Sequence, residues 1–221
     1  NGDDVIYGYK IKKFLYSKRT KYQKIDIIEN ETFGRILFLD GIVQLSESDE
    51  KLYHRSLVKP VSKFISKINK ALVVGGGDGG AARELLKIGA KEVYLVDLDK
   101  EVIEASKRFL PFLSKGVLDN KKVKIFIGEG NEFIKGYKDF FDVIIIDPTD
   151  GRVLDKTEYD LFKLGFYRGV FDALREKGVV SIQVGPSVDT KWIKKVSKDF
   201  QSIFSKMDLS RAFIPSYFQE W

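Results

Sequence analysis

From about residue 70 onward, apolar residues recur in short runs separated by stretches with helical spacing. The runs have the length and β-branched content of buried strands, and they cover 71–75, 93–97, 123–127, 142–146 and 178–184. The amphipathic stretches between and after them predict helices near 80–88, 100–109, 130–137, 157–176 and 189–204. This alternation predicts an α/β fold with a parallel, doubly wound sheet. Ligands of such sheets bind beyond the carboxyl ends of the strands.

Residues 9–48 show a different pattern, which predicts β structure. Strand-like segments cover 22–29, 35–39 and 42–45. Asp40-Gly41 is a strong signal for a tight turn. A small sheet with one core-facing side rarely stands alone, so we expect it to pack on the main domain or on a second subunit. The chain therefore divides into an N-terminal β domain at 1–48 and a larger Rossmann-like domain at 49–221.

A helix is predicted where the two domains meet. Ser48 is a suitable N-cap for a helix that runs through Tyr53 and Leu57. Pro60 should then kink or break that helix, because proline lacks the backbone N–H that the helix needs.

Composition narrows the function classes. The 221 residues contain no cysteine and one histidine, His54, which excludes disulfides and thiolate metal sites and argues against a histidine-based metal site. The net charge of +6 comes from lysines interspersed with acids, so it indicates solvated surface rather than a nucleic-acid interface. No apolar run approaches the length of a membrane span. Abundant Lys and Glu favour a thermophilic source. We expect both ends of the chain to be incomplete.

The segment LVVGGGDGG at 72–80 carries the first chemical signal. Gly75, Gly77 and Gly80 satisfy G-x-G-x-x-G, a turn that lets the backbone approach a nucleotide. Asp78 lies inside this turn, where a carboxylate repels a pyrophosphate and attracts a cation. The loop therefore favours a nucleoside-like ligand that carries positive charge.

Acidic residues also follow the other predicted strands, namely Asp97, Glu129, Asp147 and Asp150. Each alone has an ordinary explanation as a helix cap or turn residue, and the same holds for Asp99. Together they converge on one rim, where clustered carboxylates repel one another unless a cation binds. Asp97 suits the ribose hydroxyls and Glu129 the adenine amino group. That pair fits both nicotinamide-dependent dehydrogenases and adenosyl-sulfonium enzymes, and the acid at 78 argues against the former.

At this point the residues resemble a known family, the polyamine aminopropyltransferases or spermidine synthases. The matching segments are YQKIDI at 22–27, GRILFLDGIVQLSESDEKLYH at 34–54, VVGGGDGG at 73–80, VDLDKEVIEASKRFLP at 96–111, DVIIIDPTD at 142–150, LFKLGFYRGVFDAL at 161–174 and IPSY at 214–217. The resemblance implies a methyltransferase-type Rossmann-like fold with a small N-terminal β-sheet domain. It implies transfer of the aminopropyl group of decarboxylated S-adenosylmethionine to an amine, with release of 5'-methylthioadenosine.

The resemblance also implies roles for individual residues. Asp147 matches the general base and Asp150 an acid that holds the polyamine, while Asp78 matches the residue that holds the donor's ammonium. The remaining donor residues would be Gln23, Gly75, Gly77, Asp97 and Glu129, and the remaining acceptor residues Gln44, Tyr53, His54 and Tyr217. Residues 151–162 would form a lid over the site.

The chain departs from the family pattern at several positions. Arg55 stands where the family usually has Glu, and Asp147-Pro148-Thr149-Asp150-Gly151 replaces D-S-S-D-P. Asp97 and Glu129 stand where the family usually has Glu and Asp. The polyamine half of the site is therefore less well specified than the donor half.

Putrescine, giving spermidine, is the expected acceptor, and agmatine, cadaverine or spermidine remain alternatives. A methyltransferase that uses S-adenosylmethionine and a non-enzymatic ligand-sensing module are the other readings. We expect a cytoplasmic homodimer or homotetramer with small-molecule substrates and neither nucleic-acid nor membrane partners. We expect neither a cofactor nor a metal, since decarboxylated S-adenosylmethionine is a co-substrate.

Overall fold

The computed structural model describes residues 8–149 and 160–221. Its N-terminal part is an antiparallel sheet in which the strands pair in chain order. These strands are β1 (Lys13–Arg19), β2 (Lys24–Asn30), β3 (Gly34–Leu39) and β4 (Ile42–Ser46). The turn at Asp40-Gly41 joins β3 to β4, and both residues have positive φ, 49° and 82°.

A parallel five-stranded sheet follows, in the order β7-β6-β5-β8-β9. Its strands are β5 (Lys70–Gly75), β6 (Glu92–Asp97), β7 (Val123–Ile127), β8 (Phe141–Asp147) and β9 (Leu174–Ile182). The helices are α1 (Glu50–Val58), α2 (Gly80–Lys87), α3 (Lys100–Phe109), α4 (Pro111–Ser114), α5 (Gly130–Ile134), α6 (Leu164–Ala173) and α7 (Thr190–Gln201). A short ribbon of β10 (Phe213–Ile214) and β11 (Gln219–Glu220) lies near the C-terminus. The α/β fold class is confirmed.

Strand order reverses between β5 and β8, which makes this the switch point where a doubly wound sheet binds its ligand. Residues along each central strand alternate between two cores. Val73 and Val143 face the core formed with α1 and α2, whereas Val74 and Ile144 face the core formed with α6 and α7. Burial on both faces explains why these strands are continuous apolar runs.

The N-terminal sheet packs on the larger domain, as expected for a sheet with one apolar face. Ile27 and Leu37 of this sheet join Val102 and Leu110 in a third buried cluster. The sheet is thereby fixed against α3 and the turn that follows it. The division of the chain at residue 48 stays a prediction.

Several predicted boundaries were wrong. Asp49, not Ser48, occupies the N-cap position of α1, and its side chain accepts hydrogen bonds from Ser216 instead of capping the helix. The helix predicted to reach residue 176 ends at Ala173, because β9 already pairs with Phe141 at Leu174. Helix α5 ends three residues before the predicted position 137, at Ile134.

Proline acts as predicted after α1. The helix ends at Val58 and continues as a 3-10 helix, Lys59–Lys63, that contains Pro60. Among residues 8–149 and 160–221, no helix has the length and apolar content needed to cross a bilayer.

The start of the sheet offers a test of stability separate from function. The carboxylate of Asp142, on β8, accepts the backbone N–H groups of Asn69 and Lys70 at 2.7 and 2.8 Å and pairs with Arg175 at 3.1 Å. Asp142→Ala leaves those groups without this partner, so we expect the free energy of unfolding to fall by about 1–3 kcal/mol. Urea denaturation measures the loss.

Glu132→Ala is the matched control, because the Glu132 side chain is 67% exposed and its ion pair with Lys135 should contribute little. Equal losses in the two variants would contradict a specific role for Asp142.

Candidate active site

The carboxyl ends of β5 and β8 meet at a glycine turn. Gly75 pairs with Asp147 in the sheet register and has φ of +80°. A Cβ at Gly75 would overlap the Asp147 carbonyl, and one at Gly76 would lie 3.3 Å from the Asp147 carboxylate. The glycines therefore let the turn lie directly against the end of β8. Sequence reasoning assigned Gly75 only to ligand approach and missed this second reason.

Two carboxylates accept hydrogen bonds from backbone N–H groups of this turn. Asp78 Oδ1 accepts from Gly80 N at 2.6 Å, and Asp97 Oδ2 accepts from Gly77 N at 2.8 Å. Amide groups of this kind bind the pyrophosphate in dinucleotide folds. Here they already hold carboxylates, which fits the expectation of a ligand without phosphate.

His54 lies beneath the turn and is 1% exposed. Its Nε2 is 3.4 Å from Asp78 Oδ1, and its Nδ1 is 3.1 Å from Glu50 Oε2 and 2.7 Å from the Glu50 carbonyl oxygen. Burial alone would lower the pKa of His54, but the charges of Asp78, Glu50 and Asp147 outweigh it and raise the pKa to about 10. His54 is therefore a buried cation at neutral pH.

Asp147 ends β8 at the centre of the rim and is 9% exposed. Its Oδ1 accepts a hydrogen bond of 2.6 Å from the Tyr53 hydroxyl. Burial raises the pKa of Asp147 to about 6; repulsion from Asp78 and Asp97 adds to the rise, and His54 opposes it. A carboxylate with a pKa near 6 is mostly ionised at pH 7 and accepts a proton more readily than an ordinary aspartate.

Asp97 ends β6 on the other side of the turn. Burial raises the pKa of Asp97 to about 6, against the hydrogen bonds from the Asp99 and Gly77 amides. Asp99 caps α3 through Glu101 N at 3.0 Å, the ordinary role considered for it. Its other oxygen accepts from Gln23 Nε2 at 3.3 Å, so the N-terminal sheet brings Gln23 to the Asp97 side of the rim.

An aromatic wall stands on the Asp147 side. The ring of Tyr217 meets the ring of Tyr53 edge to face, with centroids 5.9 Å apart. The Tyr217 hydroxyl donates to the carbonyl of Gln44, and Asp49 holds the preceding residue, Ser216, by its backbone N–H at 2.6 Å. Burial, and then the charge of Asp147, raises the pKa of both tyrosines well above the ordinary value, so both hydroxyls stay protonated.

The remaining expected site residues make no hydrogen bond or ion pair with this cluster among the described residues, or lie outside them. Glu129 occupies the N-cap position of α5, but its side chain makes no capping hydrogen bond. Asp150 and residues 151–159 of the expected lid lie outside the described residues, whereas Asp160–Phe162 form a 3-10 helix. Arg55 is 58% exposed and lies 3.7 Å from Glu84, so this departure from the family adds no cation to the rim.

Sequence reasoning missed two residues behind the site, Glu50 and Arg83. Both are buried, and they form a double ion pair between α1 and α2. Glu50 lies in the sequence DEK and Arg83 in the sequence AARE. Charged residues are common in helical segments of this kind. Only the unusual burial identifies them, and burial is not visible in the sequence.

His54, Asp78 and Asp147 bring one ligand atom each within 4.8 Å of one another, close enough for a cation. An imidazole binds a metal only in its neutral form. The raised pKa of His54 disfavours that form in the metal-free protein, and we assign no metal to this cluster. The organic cation expected from the sequence suits two carboxylates on one rim better.

Comparison with known proteins agrees with this geometry. The family model for the spermine/spermidine synthase domain matches residues 50–221, and that for the spermidine synthase tetramerisation domain matches residues 3–47. The chain belongs to the spermine/spermidine synthase family. It is a transferase enzyme of the aminopropyltransferase class. The resemblance stated from the sequence is confirmed.

Relatives named polyamine aminopropyltransferase cover nearly the whole chain. The protein of Caldicellulosiruptor bescii is 41% identical over 219 residues, which are 97% of this chain and 76% of that protein. The protein of Thermoplasma volcanium is 36% identical over 217 residues, 97% of this chain and 78% of that protein. Relatives from such thermophiles agree with the expected thermophilic source.

Two solved structures share the fold. Spermidine synthase in complex with the transition-state analogue AdoDATO superposes with a TM-score of 0.92 at 34% identity, covering 100% of this chain and 75% of that one. Spermidine synthase from Thermotoga maritima gives a TM-score of 0.89 at 33% identity, covering 100% and 74%. The methyltransferase-like fold is thereby confirmed, while the roles of the individual site residues stay predictions.

The raised pKa of Asp147 predicts a gain in stability for Asp147→Asn. Folding raises this pKa from 3.8 to about 6, so the contribution of Asp147 to stability is complete below pH 3.8 and is lost as pH rises through about 6. Asparagine carries no charge to desolvate and can still accept from Tyr53. We expect the ligand-free variant to melt higher than wild type at about pH 8, by about 2–4 °C for each kcal/mol gained.

Calorimetry at several pH values measures this difference, which should shrink towards pH 4. A gain that is independent of pH, or a loss at about pH 8, would contradict the electrostatic explanation.

Proposed function

We propose that this enzyme transfers the aminopropyl group of decarboxylated S-adenosylmethionine to a diamine or polyamine, putrescine giving spermidine, and releases 5'-methylthioadenosine. The observation that carries the proposal is the placement of Asp78 and Asp147 on one rim, where a ligand atom of each lies within 4.8 Å of the buried imidazole of His54. Each carboxylate can receive one organic cation. The proposal includes Asp147 as general base.

The donor half contains the glycine turn and the end of β6. Gln23, Asp97 and Glu129 would bind the nucleoside, with Gly75 and Gly77 allowing its close approach. Asp78 would hold the ammonium of the aminopropyl group. Its Oδ1 faces His54 and the Gly80 amide, which leaves Oδ2 to face the ligand. The carboxylate of ordinary S-adenosylmethionine would be repelled at the same place.

The acceptor half contains Asp147 and the aromatic wall. Tyr53, Tyr217 and Gln44 would line the amine chain with His54 behind it, and Asp150 would hold its far end. Aromatic faces attract an organic cation, and the Tyr53 hydroxyl orients Asp147.

The chemistry is a displacement at carbon. The amine nitrogen forms a bond to the aminopropyl carbon, the bond from that carbon to sulfur breaks, and the sulfonium becomes a neutral thioether. The attacking nitrogen must be free of its extra proton, which passes to Asp147. Alignment of the two substrates should supply most of the rate enhancement.

We also propose an oligomeric state and a cellular location for the protein. The match of residues 3–47 to the tetramerisation domain supports self-association, and we propose a cytoplasmic homodimer or homotetramer that acts on small molecules without a cofactor or metal. Two alternatives remain: agmatine, cadaverine or spermidine as the acceptor, and methyl transfer from S-adenosylmethionine.

The general-base assignment predicts a large loss of turnover in Asp147→Asn. The assay incubates decarboxylated S-adenosylmethionine with each amine in turn, measures 5'-methylthioadenosine and identifies the products by mass. Wild type should be most active with putrescine, and the variant should lose about 10²–10⁴-fold in kcat. Asp142→Ala on the same strand is the control that should keep turnover below its melting temperature.

A different amine as best acceptor would replace putrescine and leave the reaction type intact. Methyl transfer from S-adenosylmethionine, without methylthioadenosine from the decarboxylated donor, would overturn the proposal.

The role of Asp78 predicts a change in donor selectivity. Asp78→Asn removes the charge that pairs with the donor's ammonium, which should raise the donor KM by about 10- to 100-fold. Affinity for S-adenosylmethionine should fall less or rise, so the preference for the decarboxylated donor narrows. Asp119→Asn, at a side chain 70% exposed, is the control. Calorimetry measures the affinities for the decarboxylated donor and for S-adenosylmethionine. A ratio of these affinities that is unchanged from wild type would contradict the role of Asp78.

A further inference from the structure

A chain of alternating charges runs from the interior to the glycine turn. It consists of Arg83 on α2, Glu50 and His54 on α1, and Asp78 in the turn. Arg83 is 4% exposed, Glu50 1% and His54 1%, so none of these three contacts bulk water or a substrate to any extent. Charges are rarely buried so completely unless each has a partner.

The inner contact is a double ion pair. Arg83 Nη1 and Nη2 donate to Glu50 Oε1 and Oε2 at 2.9 and 2.8 Å. Arg83 also donates to the carbonyl of Leu113 and, through Nε, to Glu84 at 2.8 Å. The guanidinium is thereby fixed from three sides, and Glu50 has one rigid orientation.

The outer contacts pass this orientation to the rim. Glu50 lies one helical turn before His54, and its Oε2 faces the imidazole Nδ1 at 3.1 Å. The opposite nitrogen faces Asp78 at 3.4 Å. A Cβ at Gly80 would overlap the imidazole ring, so the start of α2 packs directly on His54 and holds it in place.

We propose that Glu50 and Arg83 are positioning residues for the donor site: the Glu50 charge keeps His54 protonated, and Arg83 fixes the Glu50 carboxylate in the orientation that holds the imidazole against Asp78. The last step, in which Asp78 then receives the donor's ammonium, rests on the proposed function. Neither Glu50 nor Arg83 touches the substrate in this scheme.

The physical reason is the balance of charge around the imidazole. Three carboxylates face His54: Glu50 from α1, Asp78 from the turn and Asp147 from β8. Arg83 of α2 lies behind Glu50, and the ring of Tyr53 contacts the ring of His54. Loss of the Glu50 charge would remove one attractive partner and also leave the nearby Arg83 cation with Glu84 as its remaining carboxylate partner. Both changes disfavour the imidazolium, so His54 would lose its proton at a lower pH.

The test uses the fact that His54 is the only histidine in the chain. Nuclear magnetic resonance of the full, ligand-free protein with ¹⁵N-labelled histidine therefore follows one imidazole. In wild type the midpoint should lie near the pKa of about 10. In Glu50→Gln it should fall by about 1–3 units, and in Arg83→Gln, which leaves the Glu50 charge uncompensated, it should not fall.

Glu84→Gln is the matched control. Glu84 is buried and bonded to Arg83 like Glu50, but its other ion pairs are with Lys87 and Arg55 and not with His54. It should lower stability without moving the His54 midpoint. An unchanged midpoint in Glu50→Gln, or equal shifts in Glu50→Gln and Glu84→Gln, would overturn the inference. If Glu50→Gln does not fold, a midpoint below wild type in Arg83→Gln overturns it.

Kinetics give a second readout. Relative to wild type, the donor KM of Glu50→Gln should rise with pH above the new His54 midpoint, while the amine KM of this variant and the donor KM of Glu84→Gln should follow the wild-type pH dependence. A donor KM of Glu50→Gln that follows the wild-type pH dependence would contradict the link to Asp78. The titration needs no substrate, so a shifted midpoint in an enzyme that transfers no aminopropyl group would overturn only the proposed function. Normal transfer with an unshifted midpoint would overturn only this inference.

Discussion

Repulsion among Asp78, Asp97 and Asp147 is the constraint on which the rest of the site depends. Three carboxylates on one enclosed rim cannot all stay ionised without compensation. The protein supplies it with the amides of Gly77 and Gly80, the Tyr53 hydroxyl and the buried His54 cation. The compensation is incomplete, because the pKa values of Asp97 and Asp147 remain raised to about 6. The ligand-free rim therefore favours the binding of positive charge.

The fold brings these groups together through backbone geometry more than through side-chain length. β5 and β8 are neighbours at the switch point, and Gly75 and Gly76 have positive φ, which lets the turn lie against the Asp147 backbone. The C-terminal segment then joins the site through Asp49 and Ser216, which bring Tyr217 to the ring of Tyr53. Residues far apart in sequence thus form one wall, and small backbone shifts at the turn would change several contacts at once.

Much of the fold and of the candidate site could be predicted from the sequence. Strand and helix periods are local, and the carboxyl ends of parallel strands share one edge, so Asp78, Asp97 and Asp147 could be placed together from their positions alone. The partners of Asp49 and Glu50 could not, because Ser216 and Arg83 are 167 and 33 residues away. Tertiary contacts also decided the boundaries. The predicted cap at Ser48 failed because the Ser48 backbone still bonds to Phe33, and the first helical hydrogen bonds go to the carbonyl of Asp49. The helix to residue 176 failed because β9 pairs from Leu174.

The charge balance bears on the proposed reaction, in which two cationic substrates would react in one pocket. Each cation would relieve part of the repulsion among Asp78, Asp97 and Asp147. In that reaction the sulfonium beside the acceptor would disfavour the protonated amine, which would ease loss of its proton to Asp147. The same sulfonium would lower the pKa of Asp147 and weaken it as a base, so the two effects would oppose each other. Burial of Asp147 would shift this balance towards proton transfer, since it raises the carboxyl pKa of the ligand-free protein. The desolvation that makes the empty rim unfavourable would thus be the same property that suits it to the proposed deprotonation of an amine.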